Sequence, residues 1–369
     1  MNDHSGFRDL LFDHAIPAAS ELFIQTEDGV QCLACANRCK IADGAEGACR
    51  MRFVRRGEFY VPGGYVAGLN VDPIEKKPFF NVLPGRDALS FGMLGCNFHC
   101  PFCQNWRSSQ ALKDPESMGS IHSIRPEHLA DMAVEQNVPV IVSTYNEPLI
   151  SADWSAKIFA RAKENGILCG FVSNGCATPE AVNFIRPFVD IFKVDLKCFD
   201  TESYSKLGGN LKSVLETITT LKEKGVWVEI VTLLVPGFND SEEQLRGMTS
   251  FISGLSRDIP WHVTAFHPDY MMNDARQTDA KDIERAAGFG KDAGLHFVYA
   301  GNLPGQTKGM ENTYCPKCKN LLIERIGFKI NSNRMRGAHC PDCDAVLPGM
   351  WEENPPKHAS HSGAFRRVL

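Results

Sequence analysis

The sequence predicts an α/β protein: a partial (β/α)6 TIM-like barrel with a small N-terminal four-cysteine module and a C-terminal zinc-ribbon-like module. Three observations predict it. Short β-branched and apolar runs alternate with longer stretches of helical period from about Ala88 to Gly301. Polar residues gather at the C-terminal ends of those runs, and most of the cysteines cluster in tight sets.

The runs are "ALSFGM" (Ala88–Met93), "VPVIVST" (Val138–Thr144), "ILCGFVS" (Ile167–Ser173), "VDIFKVDL" (Val189–Leu196), "VWVEIVTLLV" (Val226–Val235), "WHVTAF" (Trp261–Phe266) and "LHFVYA" (Leu295–Ala300). Between them helices are expected over Pro126–Gln136, Asp153–Glu164, Pro179–Pro187, Leu211–Lys224, Ser241–Leu255 and Asp279–Ala293. Thr178-Pro179, and Asp240-Ser241 before Glu242 and Glu243, place a capping oxygen and first-turn acids where helix N-termini need acceptors. Strand, helix, strand at this spacing means parallel pairing through right-handed crossovers. Six units and a seventh strand favour a barrel, whose active site lies at the C-terminal ends of the strands. There the sequence places "TYNEP", "SNG", "DLK", "PGFND", "FHPD" and "AGN".

This divides the chain into an N-terminal extension with its four-cysteine module (1–85), the barrel (86–302), a zinc-ribbon-like module (303–351) and a polar, flexible tail (352–369). A net charge of −5 provides no general cationic field for a nucleic-acid backbone. Early acids such as Asp3 and Asp13 do not suit a signal peptide, and no segment reaches the roughly 18 uncharged apolar residues of a spanning helix. A cytoplasmic location without membrane contact is expected. In a reducing compartment 14 cysteines read as metal ligands or catalytic thiols better than as disulfides.

Cys96, Cys100 and Cys103 follow the first barrel strand as C-x3-C-x2-C. Three thiolates can hold three irons of a cubane and leave the fourth open to a ligand. The other readings are a zinc knuckle completed by His99 and three satisfied core thiols. Cys32, Cys35, Cys39 and Cys49 suffice for a closed site holding zinc or a further iron–sulfur cluster. Cys315-Pro-Lys-Cys318 and Cys340-Pro-Asp-Cys343 read as the paired knuckles of a zinc ribbon, around a strand pair too small to build its own core. Cys169, Cys176 and Cys198 default to core packing.

The loop "GCNFHCPFCQNW" resembles the hallmark of the radical S-adenosylmethionine (SAM) superfamily, including Phe102 before the last cysteine. The order "CLACANRCKIADGAEGACRMR", "DPIEKKPFFNVLPG", the cysteine loop, "TYNEP", "VDLK", "FHPDY", "AGN" and "NTYCPKC…CPDC…LPGMW" is similar to the radical SAM member of the AmmeMemoRadiSam system, a branch related to pyruvate formate-lyase activating enzymes.

The resemblance implies a 4Fe–4S cluster on Cys96, Cys100 and Cys103 and reductive cleavage of SAM to methionine and a 5′-deoxyadenosyl radical that abstracts hydrogen from the substrate. It implies that Glu147 accepts from the SAM amino group, with Phe102, Asn146, Ser173, Asn174 and Asp195 around the cofactor. Tyr145 and Asn146 stand where the family has two glycines. Asp195 and Lys197 either pair with each other as a salt bridge at the barrel rim or grip the methionine carboxylate and the substrate; Thr232–Val235 either flank adenine or fill the barrel core, and His267 is expected to face the substrate. An electron donor such as flavodoxin or ferredoxin is implied, as are Memo-type and AMMECR-type proteins as functional partners. The substrate stays open: a small molecule, a nucleoside or a partner protein, including a glycine that would become a glycyl radical. A non-enzymatic metal scaffold is the remaining alternative. Lys76-Lys77 reads either as a solvated turn or as a neutraliser of an anionic substrate.

Overall fold

The computed structural model describes residues 4–117, 120–354 and 366–367. Seven strands run parallel and in chain order in one sheet: β1 (Asp87–Gly92), β2 (Val140–Ser143), β3 (Leu168–Ser173), β4 (Ile191–Asp195), β5 (Trp227–Leu234), β6 (Trp261–Ala265) and β7 (Val298–Gly301). The crossovers carry α1 (Pro126–Glu135), α2 (Ala152–Lys163), α3 (Pro179–Ile185), α4 (Leu211–Glu223), α5 (Glu242–Leu255) and α6 (Ala280–Asp292). The six expected units are therefore present. An unanticipated short helix, Thr201–Lys206, stands between β4 and α4.

Local chemistry accounts for these elements. Val140, Ile141 and Val142 are buried whichever side of β2 they face, as expected of a parallel strand covered on both sides. On α4 the buried Leu211, Val214, Ile218 and Leu221 recur at helical spacing. Thr178 Oγ1 accepts from Ala181 N at 3.0 Å, and Ser241 Oγ accepts from Gln244 N at 3.3 Å. Asp279 and Asp282 cap α6 reciprocally, each carboxylate taking the other's backbone N–H at 3.0 Å.

The sheet does not close. Beyond β1 it continues as an antiparallel strand, Gly68–Pro73, with Asp72 opposite Ala88, and Arg366–Arg367 pair along that strand's far side. The main sheet thus takes in Gly68–Pro73, from within the segment expected to form the N-terminal extension (1–85). Ladder partners, unlike helical period, are not visible in one strand's sequence. Of the tail expected to be flexible, Arg366–Arg367 lie in the sheet and Glu352 pairs with Arg86 at 2.9 Å. Residues 355–365 and 368–369 fall outside the described residues.

The connection from Ile74 to β1 plugs the curled sheet. Ile74, Phe79 and Val82 pack with Ala88 of β1, Val140 and Val142 of β2 and Ile191 of β4. The C-terminal module forms an antiparallel sheet of Thr313–Tyr314, Leu321–Ile326 and Lys329–Asn333. Its Leu322, Ile323 and Ile330 share a core with Phe80 and with Tyr299 of β7, so it covers the open edge.

The N-terminal module holds two small antiparallel sheets and straps across the ends of the first three parallel strands. Ala36 N donates to Cys176 O at 3.0 Å, and Thr178 Oγ1 donates to Leu33 O. Arg52, fully buried, donates through Nε to Ile150 O at 2.8 Å and pairs with Asp153 of α2.

Candidate functional site

The cysteine loop leaves β1 through Gly95, whose φ is +89° and whose missing Cβ would stand 2.2 Å from Met51 Cγ. No side chain fits there, so the glycine lets the N-terminal module press onto the loop. Cys96 Sγ accepts from Phe98 N at 3.3 Å, and Cys103 Sγ lies 3.2 Å from Ser109 Oγ. All three thiols are free and line a cavity of about 430 Å³. The same cavity takes lining from Thr144 after β2 and Ala300 in β7, so the sheet curls around it. Burial pushes the Cys96 thiol well up, with Glu147 adding to it, and pushes Cys100 up to about 12 despite Lys197. A coordinated metal reverses that preference by deprotonating its thiols. His99 stays out of this cavity; it is exposed and lines a separate depression with Lys113 and Gly208, which weakens the zinc-knuckle reading.

Glu147 enters from the turn after β2 and is buried. Its Oε1 accepts from Ser173 Oγ at 2.7 Å and Leu149 N at 3.0 Å; its Oε2 accepts from Asn174 N at 2.8 Å. Burial pushes its carboxyl up to about 7, although all three donors favour the charged form. Tyr145 adopts a φ of +72°, so a tyrosine here meets the backbone requirement that glycine would meet more cheaply. Gly92 makes the close approach instead: a Cβ there would lie 2.6 Å from Thr144 O. Asn146 and Asn174 line the cavity, but protein partners already engage them. Asn146 Oδ1 accepts from Met93 N at 3.1 Å, and Asn174 Nδ2 donates to Asn97 Oδ1 at 2.7 Å.

At the end of β4, Asp195 is shared by Lys193 and Lys197, the latter at 2.9 Å. Burial favours the neutral acid, but the two ammonium groups outweigh it and hold Asp195 down to about 2. Residues 193, 195 and 197 alternate along an extended segment, which directs them to one face. That spacing, "KVDLK", was the available signal for Lys193, which the motif reading passed over.

Phe102 lines the cavity and packs on Phe238 at 5.3 Å between ring centroids. His267 does not reach it. Phe266 turns into the core and leaves His267 exposed, with Nδ1 3.4 Å from Pro268 O. Of Thr232–Val235 only Leu233 lines the cavity; Thr232 Oγ1 accepts from Trp261 Nε1 at 3.0 Å. Lys77, far from a solvated turn, is buried and lines the cavity with Lys76. His262 also lines it, and its Nε2 lies 2.6 Å from Glu229 Oε2. A histidine and an acid inside strands with no motif around them carry no sequence signal of pairing.

The two outer quartets differ. Cys315 and Cys343 sulfurs lie 3.6 Å apart, and Cys318 and Cys340 sulfurs 3.7 Å apart. An ion about 2.3 Å from each of four tetrahedral sulfurs sets them about 3.8 Å apart, so one ion fits this quartet. Among the described residues it is the one set of at least three ligand side chains whose ligand atoms all lie within 4.8 Å of one another. Cys32, Cys35, Cys39 and Cys49 do not draw together in that way, although Cys32 and Cys49 both act electrostatically on Cys35. Cys96, Cys100 and Cys103 also stand apart, as ligands to different irons of one cubane do. Three thiols and a buried carboxylate on one cavity are a donor set that fits a cluster with an open iron and an amine-bearing ligand. Cys169, Cys176 and Cys198 are fully buried. No helix among the described residues is long and apolar enough to cross a membrane.

Residues 92–248 match the Radical SAM superfamily. Over 322 residues the chain is 36% identical to an uncharacterized protein of Methanocaldococcus jannaschii, covering 86% of this chain and 94% of that one. Over 198 residues it is 27% identical to the pyruvate formate-lyase-activating enzyme of Staphylococcus aureus, covering 50% and 76%. Among solved structures, similarity extends over 87% of this chain and 88% of a radical SAM methyltransferase from Sphaerobacter thermophilus, at 15% identity and a TM-score of 0.44.

Proposed function

We propose, from the premise that this chain belongs to the radical SAM superfamily, that it is an enzyme cleaving SAM reductively to start hydrogen abstraction from a small substrate. The single observation carrying this reading is that Glu147, set by Ser173 and Asn174, faces the same cavity as Cys96, Cys100 and Cys103. Cys96, Cys100 and Cys103 would hold the 4Fe–4S cluster. When bound, the cluster and SAM supply a one-electron cleavage to methionine and a 5′-deoxyadenosyl radical, which takes a hydrogen atom from a substrate C–H bond. The electron comes from a flavodoxin- or ferredoxin-type donor.

This chain's residues bind and orient. Glu147 accepts from the SAM amino group, Lys197 meets the methionine carboxylate, and Asp195 holds Lys197 in place. Phe102 and Leu233 supply apolar walls. Asn146 fixes the turn that carries Glu147, while Asn174 fixes the loop beside Cys96. Zinc at Cys315, Cys318, Cys340 and Cys343 is supported by the sulfur spacing. The front quartet, whose sulfurs do not meet the spacing of a single ion, suits a second iron–sulfur cluster better than zinc, with buried Arg52 offsetting thiolate charge near Cys32 and Cys49.

Similarity to a pyruvate formate-lyase-activating enzyme favours a second reading, activation of a protein glycine. The motif order supports placement in the AmmeMemoRadiSam system, with Memo-type and AMMECR-type proteins as partners.

Anaerobic reconstitution tests the reading, with iron, sulfide and zinc analysis, EPR before and after SAM, and an assay for 5′-deoxyadenosine. A reduced-cluster signal altered by SAM, with 5′-deoxyadenosine formed, is expected. Protein that binds zinc alone and never cleaves SAM is a metal-stabilised scaffold instead.

A further inference from the structure

His262 lines the cavity but has no part in the SAM chemistry proposed for it. It is buried, and its Nε2 lies 2.6 Å from Oε2 of Glu229, a side chain wholly out of contact with solvent. Three other groups hold that acid. Its Oε2 accepts from Phe80 N at 3.0 Å, and its Oε1 accepts from Asn81 N at 3.0 Å and from Trp227 Nε1 at 3.1 Å. Two backbone amides and an indole N–H can only donate, and such donors favour the ionised carboxylate. A carboxylate can only accept, so the proton between Glu229 and His262 sits on Nε2.

That assignment fixes the role of the other ring nitrogen. Nδ1 has no hydrogen-bond partner among the described residues, yet it is not one of the unpartnered polar atoms sealed from solvent. It therefore opens onto the cavity that the ring lines. A proton there would find no acceptor, so Nδ1 presents a lone pair. The ring is held from two sides, by Phe80 edge-on at 4.8 Å between centroids and by Tyr299 at 5.1 Å. Asp195, Val231 and His262 are successive ladder partners across β4, β5 and β6, which sets the imidazole two strands beyond Asp195. Phe80 and Val231 line the cavity with it and supply only carbon there, while Thr264, two residues on, turns its hydroxyl to Thr232 O at 3.4 Å. A buried acceptor among such walls suits a neutral hydrogen-bond donor.

We propose that Glu229 and His262 form a general base, and that the substrate is a small molecule with a hydroxyl group on the carbon that loses its hydrogen. This rests on the reading that SAM fills the cysteine end. The hydrogen atom leaves that carbon with one electron of the C–H pair and forms a bond to the 5′ carbon of the deoxyadenosyl group. The α-hydroxy radical left behind is a much stronger acid than its parent alcohol. Its O–H bond then breaks toward His262: the proton bonds to Nδ1, the electron pair stays on oxygen, and the unpaired electron stays on the carbon–oxygen unit. Glu229, behind the ring, holds the tautomer that leaves Nδ1 free and stabilises the imidazolium that forms.

The test is side-chain NMR of full-length protein labelled with nitrogen-15 histidine, reconstituted, with the cluster oxidised and SAM present. The His262 resonances are those missing from His262→Gln, whose amide keeps a donor for Glu229. In the wild type Nε2 is expected to carry the proton and Nδ1 none. Glycerol, a hydroxyl donor, should shift the Nδ1 resonance, and acetone, which cannot donate, should leave it in place. Glu229→Gln, whose amide can donate to Nε2, should move the proton to Nδ1 and remove the glycerol response, which a merely structural pair would not do. If either variant fails to fold by thermal unfolding, carbethoxylation of the wild type by diethyl pyrocarbonate decides, because that reagent needs an unprotonated ring nitrogen within reach; mass spectrometry of the His262 peptide reads it. A proton on Nδ1, an Nδ1 that glycerol leaves unmoved or acetone moves equally, or an unmodified His262 overturns the base. The 5′-deoxyadenosine assay on the same wild-type preparation separates the two readings: cleavage with a protonated or unresponsive Nδ1 sinks only the base, and the expected tautomer without cleavage sinks only the radical chemistry.

Discussion

Ser173 Oγ donates to Glu147 Oε1 across 2.7 Å, tying the end of β3 to the turn after β2. The carboxylate is therefore aimed by a neighbouring strand. Burial lifts it to about 7 from 4.5, so below that pH the neutral acid, a poor acceptor for an amine, predominates.

SAM affinity of the reconstituted protein should accordingly rise as pH increases through about 7 and then level off. Ser173→Ala removes a donor to the charged form and should move that rise to higher pH. Glu147→Gln should bind SAM weakly with no such rise. Titration of the SAM-dependent EPR change at several pH values measures all three. In the unliganded protein the sign is opposite for stability: between pH 4.5 and 7 the native state keeps a proton that the unfolded chain loses, so this residue's contribution falls as pH rises.

Cys100→Ala should abolish 5′-deoxyadenosine formation and lower iron content while zinc content stays constant. The cluster loop and the C-terminal quartet are separate donor sets on different parts of the fold. Metal analysis reads the split directly; equal loss of both metals would contradict it.

Arg325→Ala should cost about 3–5 kcal/mol, the usual penalty for breaking a buried ion pair from one side. Its guanidinium donates to Thr313 Oγ1 at 2.7 Å and to Phe80 O at 2.9 Å, lies 4.5 Å from the Phe80 ring centroid and sits 3.5 Å from Glu75. Arg325→Met, which keeps volume against Phe80, should lose less. Thermal unfolding compares the two.

Cys318→Ala should release the C-terminal metal and lower the unfolding midpoint, because the quartet's Cys315 and Cys340 sit in the same apolar cluster as Leu322 and Ile323. Loss of zinc with an unchanged midpoint would make the quartet dispensable to the fold.

Gly92→Ala should disturb SAM binding while leaving the far strands folded. A Cβ at that position meets Thr144 O at 2.6 Å and Tyr145 Cβ at 2.8 Å, and the turn bearing Glu147 must then shift. EPR with SAM and far-UV circular dichroism separate the two effects.

Strand and helix positions in the barrel were legible because period, caps and β-branching are local properties. Val138–Thr144 became β2 at Val140–Ser143, and Pro126–Gln136 became α1 at Pro126–Glu135. Glu147, Ser173 and the three loop cysteines were legible because motif and strand end coincide. His267 is exposed at such a strand end, because a strand end indicates a region and not the direction of a side chain.

The sequence by itself determined the six βα units, the superfamily signature and the pairing of the rear cysteines, all set by spacing along short stretches of chain. Only the tertiary structure decided that Gly68–Pro73 joins the main sheet, that Lys77 is buried, and that Glu229 orients His262. Those outcomes depend on contacts between distant segments, such as Phe80 against Glu229 and Arg325 against Glu75, where burial and charge select the partner and spacing carries no trace of it.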